Sequence, residues 1–197
     1  MKRLRYCKAV AFALTGIAFA GCAVTEPEPV YYVLTGSRSG ATTTRAQGAL
    51  NIYVRRVEVP GYLSKPGLVT IRGGTAVDYA NTSLWAEPLD QGLSRAIAED
   101  LSQNSRLRAF AFSPASPPPD HTYEVWIRLE RFEGTDNGHA VLRARWWVST
   151  AGSEEPIGAG ATEITRTGWH PGDYGALVHL FRSELQELSR QIARAIP

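Results

Sequence analysis

The stretch TYEVWIRLERFEGTDNGHAVLRARWWVST, residues 122–150, decides how this chain folds. Tyr123, Val125, Ile127 and Leu129 recur at every second position, which places them on one face of an extended strand. Asp136-Asn137-Gly138 then signals a turn, because Asn and Gly tolerate the positive φ that tight hairpins demand. Beyond it Ala140, Leu142, Ala144, Trp146 and Val148 alternate back. The whole stretch reads as one long antiparallel hairpin with an apolar face. Trp146 shares the parity of that face, so Trp147 must point the other way, between flanking arginines.

Outward from this hairpin the same periodicity continues. YYVLTG (31–36) predicts a short first strand and LNIYVRRVEV (50–59) a longer one. In the latter, Leu50, Ile52 and Val54 give way to Val57 and Val59, a slip of one position at Arg55-Arg56 that predicts a bulge or twist. LVTIR and TAVDY flank Gly73-Gly74, a two-residue hairpin turn, and a weaker Gly/Ala-rich strand is expected near 157–167. From Leu84 to Asn104 the period changes. Leu89, Leu93, Ile97 and Leu101 recur every four residues, with Arg95, Glu99 and Asp100 elsewhere on the wheel, which predicts an amphipathic helix with Pro88 in its first turn. Leu177, Phe181, Leu185, Leu188 and Ile192 mark a second, C-terminal helix. Hairpins with two helices predict an α+β domain: an antiparallel-rich mixed sheet of about six strands, with both amphipathic helices packed on one face.

The amino terminus has a different character. MKRLRYCK carries Lys2, Arg3, Arg5 and Lys8 with no acidic partner, and Ala9 to Ala23 are almost wholly apolar and small. That is the pattern of a secretory signal, and the run is shorter than the roughly 18–20 apolar residues of a membrane span. Phe19-Ala20-Gly21-Cys22 resembles the bacterial lipobox, with Phe19 where Leu is usual. Cleavage is expected between Gly21 and Cys22, with Cys22 acylated. An ordinary A-x-A cleavage site followed by a free cysteine is the alternative. It would leave an unpaired exported thiol, because Cys7 departs with the signal. Acyl chains, at about 0.8 kcal/mol per buried CH₂, would instead hold the protein on a bilayer. Ala23, rather than Asp, follows the cysteine, which by resemblance to sorted lipoproteins implies the periplasmic face of the outer membrane. The expected organisation is therefore residues 1–21 signal peptide, 22–29 lipidated tether and 30–197 a single α+β domain. At about 3.3–3.6 Å per extended residue, the tether keeps the domain within roughly 25 Å of the membrane.

Composition narrows the function. The chain has 21 Lys+Arg and 19 Asp+Glu, but four of the basic residues precede Cys22, so the processed chain has 17 against 19 and a net charge near −2. No Lys/Arg cluster remains that points to nucleic acid. G-x-S-x-G and G-x-x-x-x-G-K-[ST] are both absent from the sequence, so neither an α/β-hydrolase nucleophile nor a P-loop has support. GAGATE (158–163) lacks dinucleotide-binding spacing and reads as a strand of small residues. His121, His139, His170 and His179 lack metal-ligand spacing, and no cofactor or metal is expected. Five tryptophans read as core plus one interface aromatic, the sharper alternative being a lipid- or protein-contacting patch.

VEVPGYLSKPGLVTIRGG (57–74) and LWAEPLDQGLSRAIAEDL (84–101) resemble the ABC-type transport auxiliary lipoproteins, the PqiC-like family. Its V-x-[LV]-P-x-Y-L segment precedes an apolar strand, and its W-A-E-P-L motif opens a long helix; YYVLTG is similar to the strand after the family's lipid anchor. The resemblance implies a non-enzymatic periplasmic lipoprotein that works with an MCE-domain protein and a membrane permease in lipid traffic, the ATPase being a separate chain. It implies lipid attachment at Cys22. Pro60 and Pro66 would stiffen the link between two strands, presenting Tyr62 and Leu63 to a partner, while Trp85, Glu87, Pro88 and Leu89 set how the helix enters. A homo-oligomeric ring is expected from the need for a lined lipid passage. A lipid carrier with its own cavity and, further behind, a lipid-anchored hydrolase are the alternatives.

Overall fold

The computed structural model describes residues 27–35 and 48–197; Gly21, Cys22, the expected signal and the start of the tether lie outside them. In chain order the described elements begin with β1 (Val30–Tyr32) and β2 (Leu50–Val54), followed by a one-turn 3-10 helix (Gly61–Ser64). β3 (Gly67–Arg72), β4 (Ala76–Trp85) and α1 (Leu89–Leu101) come next. Then β5 (Leu107–Ala111), β6 (Tyr123–Thr135), β7 (His139–Thr150) and β8 (Pro156–Thr167) lead to α2 (Tyr174–Ala195).

The predicted long hairpin is β6 and β7, and it organises everything else. β7 runs antiparallel along the whole of β6, from Tyr123↔Thr150 to Gly134↔Ala140, and β8 runs antiparallel to β7. The other side of β6 is shared. β2 pairs parallel with its start (Ile52↔Tyr123) and β3 pairs parallel with its end (Thr70↔Gly134), with a lone parallel bridge Glu58↔Arg128 between them. β5 extends the first branch, β4 and β1 the second. The fork has a length reason: a 13-residue strand spans roughly 43 Å, and neither a five- nor a six-residue neighbour covers it. The result is a mixed sheet of eight described strands whose long pairings are antiparallel, plus two helices.

Both helices cover one face. Leu93, Ile97 and Leu101 of α1 and Leu177, Phe181, Leu185, Leu188 and Ile192 of α2 are all fully buried. They meet Val125, Ile127, Leu129, Ala140, Leu142 and Val148 from the hairpin. A bulge between Leu129 and Arg131 shifts the alternation of β6, so Phe132 rather than Arg131 enters the core and stacks 4.1 Å from Phe181. The small residues of β8 answer a large one on β7. The Trp146 ring lies where a side chain on Gly160 would be, 2.5 Å from an added Cβ, and its indole N–H donates to Thr162 Oγ1 at 3.0 Å.

Several sequence expectations shift. β2 stops at Val54, because the slip at Arg55-Arg56 breaks the strand and leaves only the Glu58 bridge beyond it. Leu84 and Trp85 belong to β4, not to the helix, and Pro88 is the residue before α1 rather than part of its first turn. The Gly73-Gly74 turn includes Thr75, with φ of 57° and 79° at the glycines. β5, LRAFA, was not anticipated: its core face offers only Leu107 and two alanines, too weak an alternation to stand out. Asp100 is not on an exposed side of α1; its carboxylate is 4% exposed and paired.

Candidate functional site

The two segments that carry the sequence resemblance fold into one corner. After β2, Glu58 N–H donates to Ile127 O at 3.0 Å and Glu58 O accepts from Leu129 N–H at 2.8 Å, docking residues 57–58 on β6. Pro60, at φ −60° and ψ 148°, directs the chain into the 3-10 turn, which closes with Leu63 N–H on Pro60 O at 2.9 Å. Leu63 then points inward and is 2% exposed. Tyr62 points along the outer face of the sheet and donates its hydroxyl to Glu133 Oε2 at 2.8 Å.

Glu133 is a carboxylate 1% exposed, and it takes three donors: Tyr62, the Arg131 guanidinium at 2.5 Å and the Phe132 backbone N–H at 2.8 Å. Three hydrogen bonds, one from a cation, offset the cost of burying that charge. Burial, and then the bond to this carboxylate, hold the Tyr62 phenol well above the ordinary tyrosine value. Tyr62 is thus a neutral donor at any physiological pH.

The W-A-E-P-L segment forms the opposite wall. Trp85 N–H bonds Pro66 O at 2.7 Å, Ala86 N–H bonds Tyr32 O at 2.9 Å, and the Trp85 ring packs 6.3 Å from both Phe132 and Phe181. Pro88 O accepts from Gln91 and Gly92 N–H groups, so the proline carbonyl starts the helix that its missing N–H costs nothing to begin. Glu87 folds back to pair with Arg95; its Oε1 would lie 3.2 Å from a Cβ on Gly92, so that glycine leaves room for the ion pair. Leu89 is buried.

Three contacts that sequence reasoning missed clip the walls together. Arg56 pairs with Asp90, and Ser94 Oγ accepts Val57 N–H at 3.1 Å and lies 3.2 Å from Arg55 O. Asp90 and Ser94 sit four apart beside the apolar stripe, the one visible hint that two polar residues of α1 face inward. Between the walls lies an open cleft of about 320 Å³, lined by Ser64, Lys65, Pro66, Trp85, Glu87 and Pro88. β1 adjoins it through Tyr32↔Trp85.

On the outer face of the hairpin Trp126 and Trp147 stack at 5.7 Å, and the Arg55 guanidinium lies 3.8 Å over Trp126. Trp147 therefore points away from the core, as its parity requires. Burial pushes the Glu124 carboxyl up, but hydrogen bonds from Arg55 and His121 outweigh it and hold the group below its ordinary value. His139 is half-buried, and His170 and His179 are exposed. Among the described residues no three His, Cys, Asp or Glu side chains gather as a metal site, and no helix is long and apolar enough to cross a membrane.

A family model described as the ABC-type transport auxiliary lipoprotein component matches residues 32–193, from the end of β1 to the last turns of α2. The chain belongs to that family, a family of lipoproteins that serve ABC-type transport. Among individual relatives, it is 29% identical over 139 residues to the intermembrane transport lipoprotein PqiC of Escherichia coli K12, covering 71% of this chain and 73% of PqiC. The Shigella flexneri PqiC matches to the same extent. Two crystal structures share the fold. One, of an uncharacterized protein, has a TM-score of 0.69 at 23% identity and covers 87% of this chain and all of its own. Another, of a Xanthomonas campestris protein, has a TM-score of 0.60 at 13% identity over 84% of this chain and 91% of its own.

Proposed function

We propose that this protein is a non-enzymatic accessory subunit of an MCE-type intermembrane lipid transport system, held by acylated Cys22 at the periplasmic face of the outer membrane. Its partners are an MCE-domain periplasmic protein and a membrane permease. The main support is that the family match spans the forked sheet and both helices, so the whole domain, and not a fragment, is the family's unit. The corner built from residues 57–66 and 85–95 is the docking site in this proposal. Pro60, the outer side of Tyr62 and the cleft beside Trp85 meet the partner, and Leu63 holds the turn from beneath.

A lipid carrier would need an apolar cavity between sheet and helices. That space is filled by Leu185 and by Phe132, Phe181 and Trp85, whose rings pack against one another. Lipid would then pass along a surface shared by several copies, which favours a homo-oligomeric ring; sedimentation showing only monomer at high concentration argues against it. The test of the main proposal is a pull-down from detergent-solubilised membranes with the native chain and Cys22→Ala. Recovery of an MCE-domain protein with the native chain, and its loss with the variant, is the expected result. No such partner with either form removes the proposal.

A further inference from the structure

The C-terminal ends of α1 and α2 enclose a second open cleft, of about 490 Å³, at the opposite end of α1 from the corner just described. That volume lies in the range of small-molecule sites, about 300–1,000 Å³. Three arginines line it: Arg106, just after α1, and Arg190 and Arg194, on the last turns of α2. The acidic groups near them are already engaged. Asp100 takes both guanidinium nitrogens of Arg182 at 2.6 Å, and Glu187 takes Arg190 at 2.6 Å. Arg194 acts on Glu187 only at longer range. Among the described residues neither the Arg106 nor the Arg194 guanidinium makes a hydrogen bond or ion pair, and both residues are exposed.

The cleft therefore holds two positive charges beyond those its carboxylates neutralise, in a processed chain expected to be net negative. Side-chain amides complete the lining. The Asn104 side-chain oxygen accepts Arg106 N–H at 3.1 Å, which leaves its NH₂ as a donor, and Gln186 also lines the cleft. The Ala98 and Leu101 carbonyls that end α1 are closed by Ser102 N–H and Asn104 N–H; the C-terminal dipoles of both helices still oppose an anion, and the arginine charges have to outweigh them. Planar guanidinium forks with amide donors match a tetrahedral oxyanion in shape and charge.

We propose that this cleft binds a phosphate group, Arg106 and Arg194 being its two principal ligands. The transport function proposed above supplies the natural source, the headgroup of an anionic phospholipid, and the inference rests on it for that source alone. α1 has 13 residues and is about 20 Å long, so the cleft lies a helix length away from the corner proposed to dock the partner.

The test is calorimetry on the full chain in neutral detergent, with inorganic phosphate in one arm and dihexanoyl-phosphatidylglycerol in the other. Saturable lipid binding, weakened on the order of tenfold for each arginine in R106Q/R194Q, is expected, the size of a charge-assisted hydrogen bond. Inorganic phosphate that also binds, and competes, assigns the site to the free anion as well; lipid binding alone assigns it to the headgroup. No saturable binding in either arm, or equal binding by R106Q/R194Q, overturns the proposal. Both side chains are exposed, so an unchanged melting temperature separates lost binding from lost fold. The same variant still recovering an MCE-domain partner leaves the transport function standing even if phosphate binding fails.

Discussion

Asp100 on α1 and Arg182 on α2 are joined by two parallel hydrogen bonds of 2.6 Å, and their side chains are only 4% and 17% exposed. This pair fixes how the two helices cross over the sheet. Removing one partner leaves the other charge buried, so Arg182→Met is expected to cost roughly 3–5 kcal/mol. Replacing both, as Asp100→Leu with Arg182→Met, should recover most of that loss. Urea unfolding of the three chains decides it: a single variant as stable as the parent means the pair contributes nothing.

Glu184 sits inside α2 fully buried, and both of its oxygens lack a hydrogen-bond partner among the described residues. Burial pushes its carboxyl up to about 8, against an ordinary value of 4.5. The folded state thus holds a proton that the unfolded state releases. The contribution of this group to stability is complete below about pH 4.5 and is lost as pH rises toward about 8. Glu184→Gln removes the ionisation. It should flatten that dependence, its stability relative to the parent rising by on the order of 5 kcal/mol between low pH and pH 9. Denaturation at pH 5 and pH 9 is the check, and an unchanged slope in the variant contradicts it.

Gly160 has no room for a side chain, because the Trp146 ring lies 2.5 Å from where its Cβ would be. Gly160→Ala should displace that ring, strain its bond to Thr162 and cost about 1–3 kcal/mol. The near-ultraviolet circular dichroism of Trp146 should change with the melting temperature. If neither moves, the strand has more freedom than this packing allows.

Tyr62 separates structure from docking. Tyr62→Phe keeps the ring but leaves Glu133 without one of its three donors, which should cost about 1–3 kcal/mol without altering partner recovery. Tyr62→Ala removes the ring as well, and partner recovery should fall. Equal recovery with both variants would remove Tyr62 from the docking site.

Much of this was visible in the sequence. The β6–β7 hairpin, its turn, the outward Trp147 and the apolar stripes of both helices all follow from local periodicity, because a strand buries every second residue and a helix every third or fourth. The segments at 57–74 and 84–101 pointed to the family that the match across 32–193 establishes. The sequence showed that these segments matter, but gave no sign that they meet.

Tertiary structure decided the rest, and the reason in each case is a contact between residues far apart in the chain. Arg56 with Asp90, Val57 with Ser94 and Trp85 with Pro66 join the two motifs into one corner. Arg182, 82 positions after Asp100, turns an apparent surface carboxylate into a buried one. The fork of the sheet depends on which short strands find the free side of β6, and β5 is a strand only because β2 lies beside it. Periodicity records which face of an element is apolar; only packing determines what that face, and each polar residue at its margin, will touch.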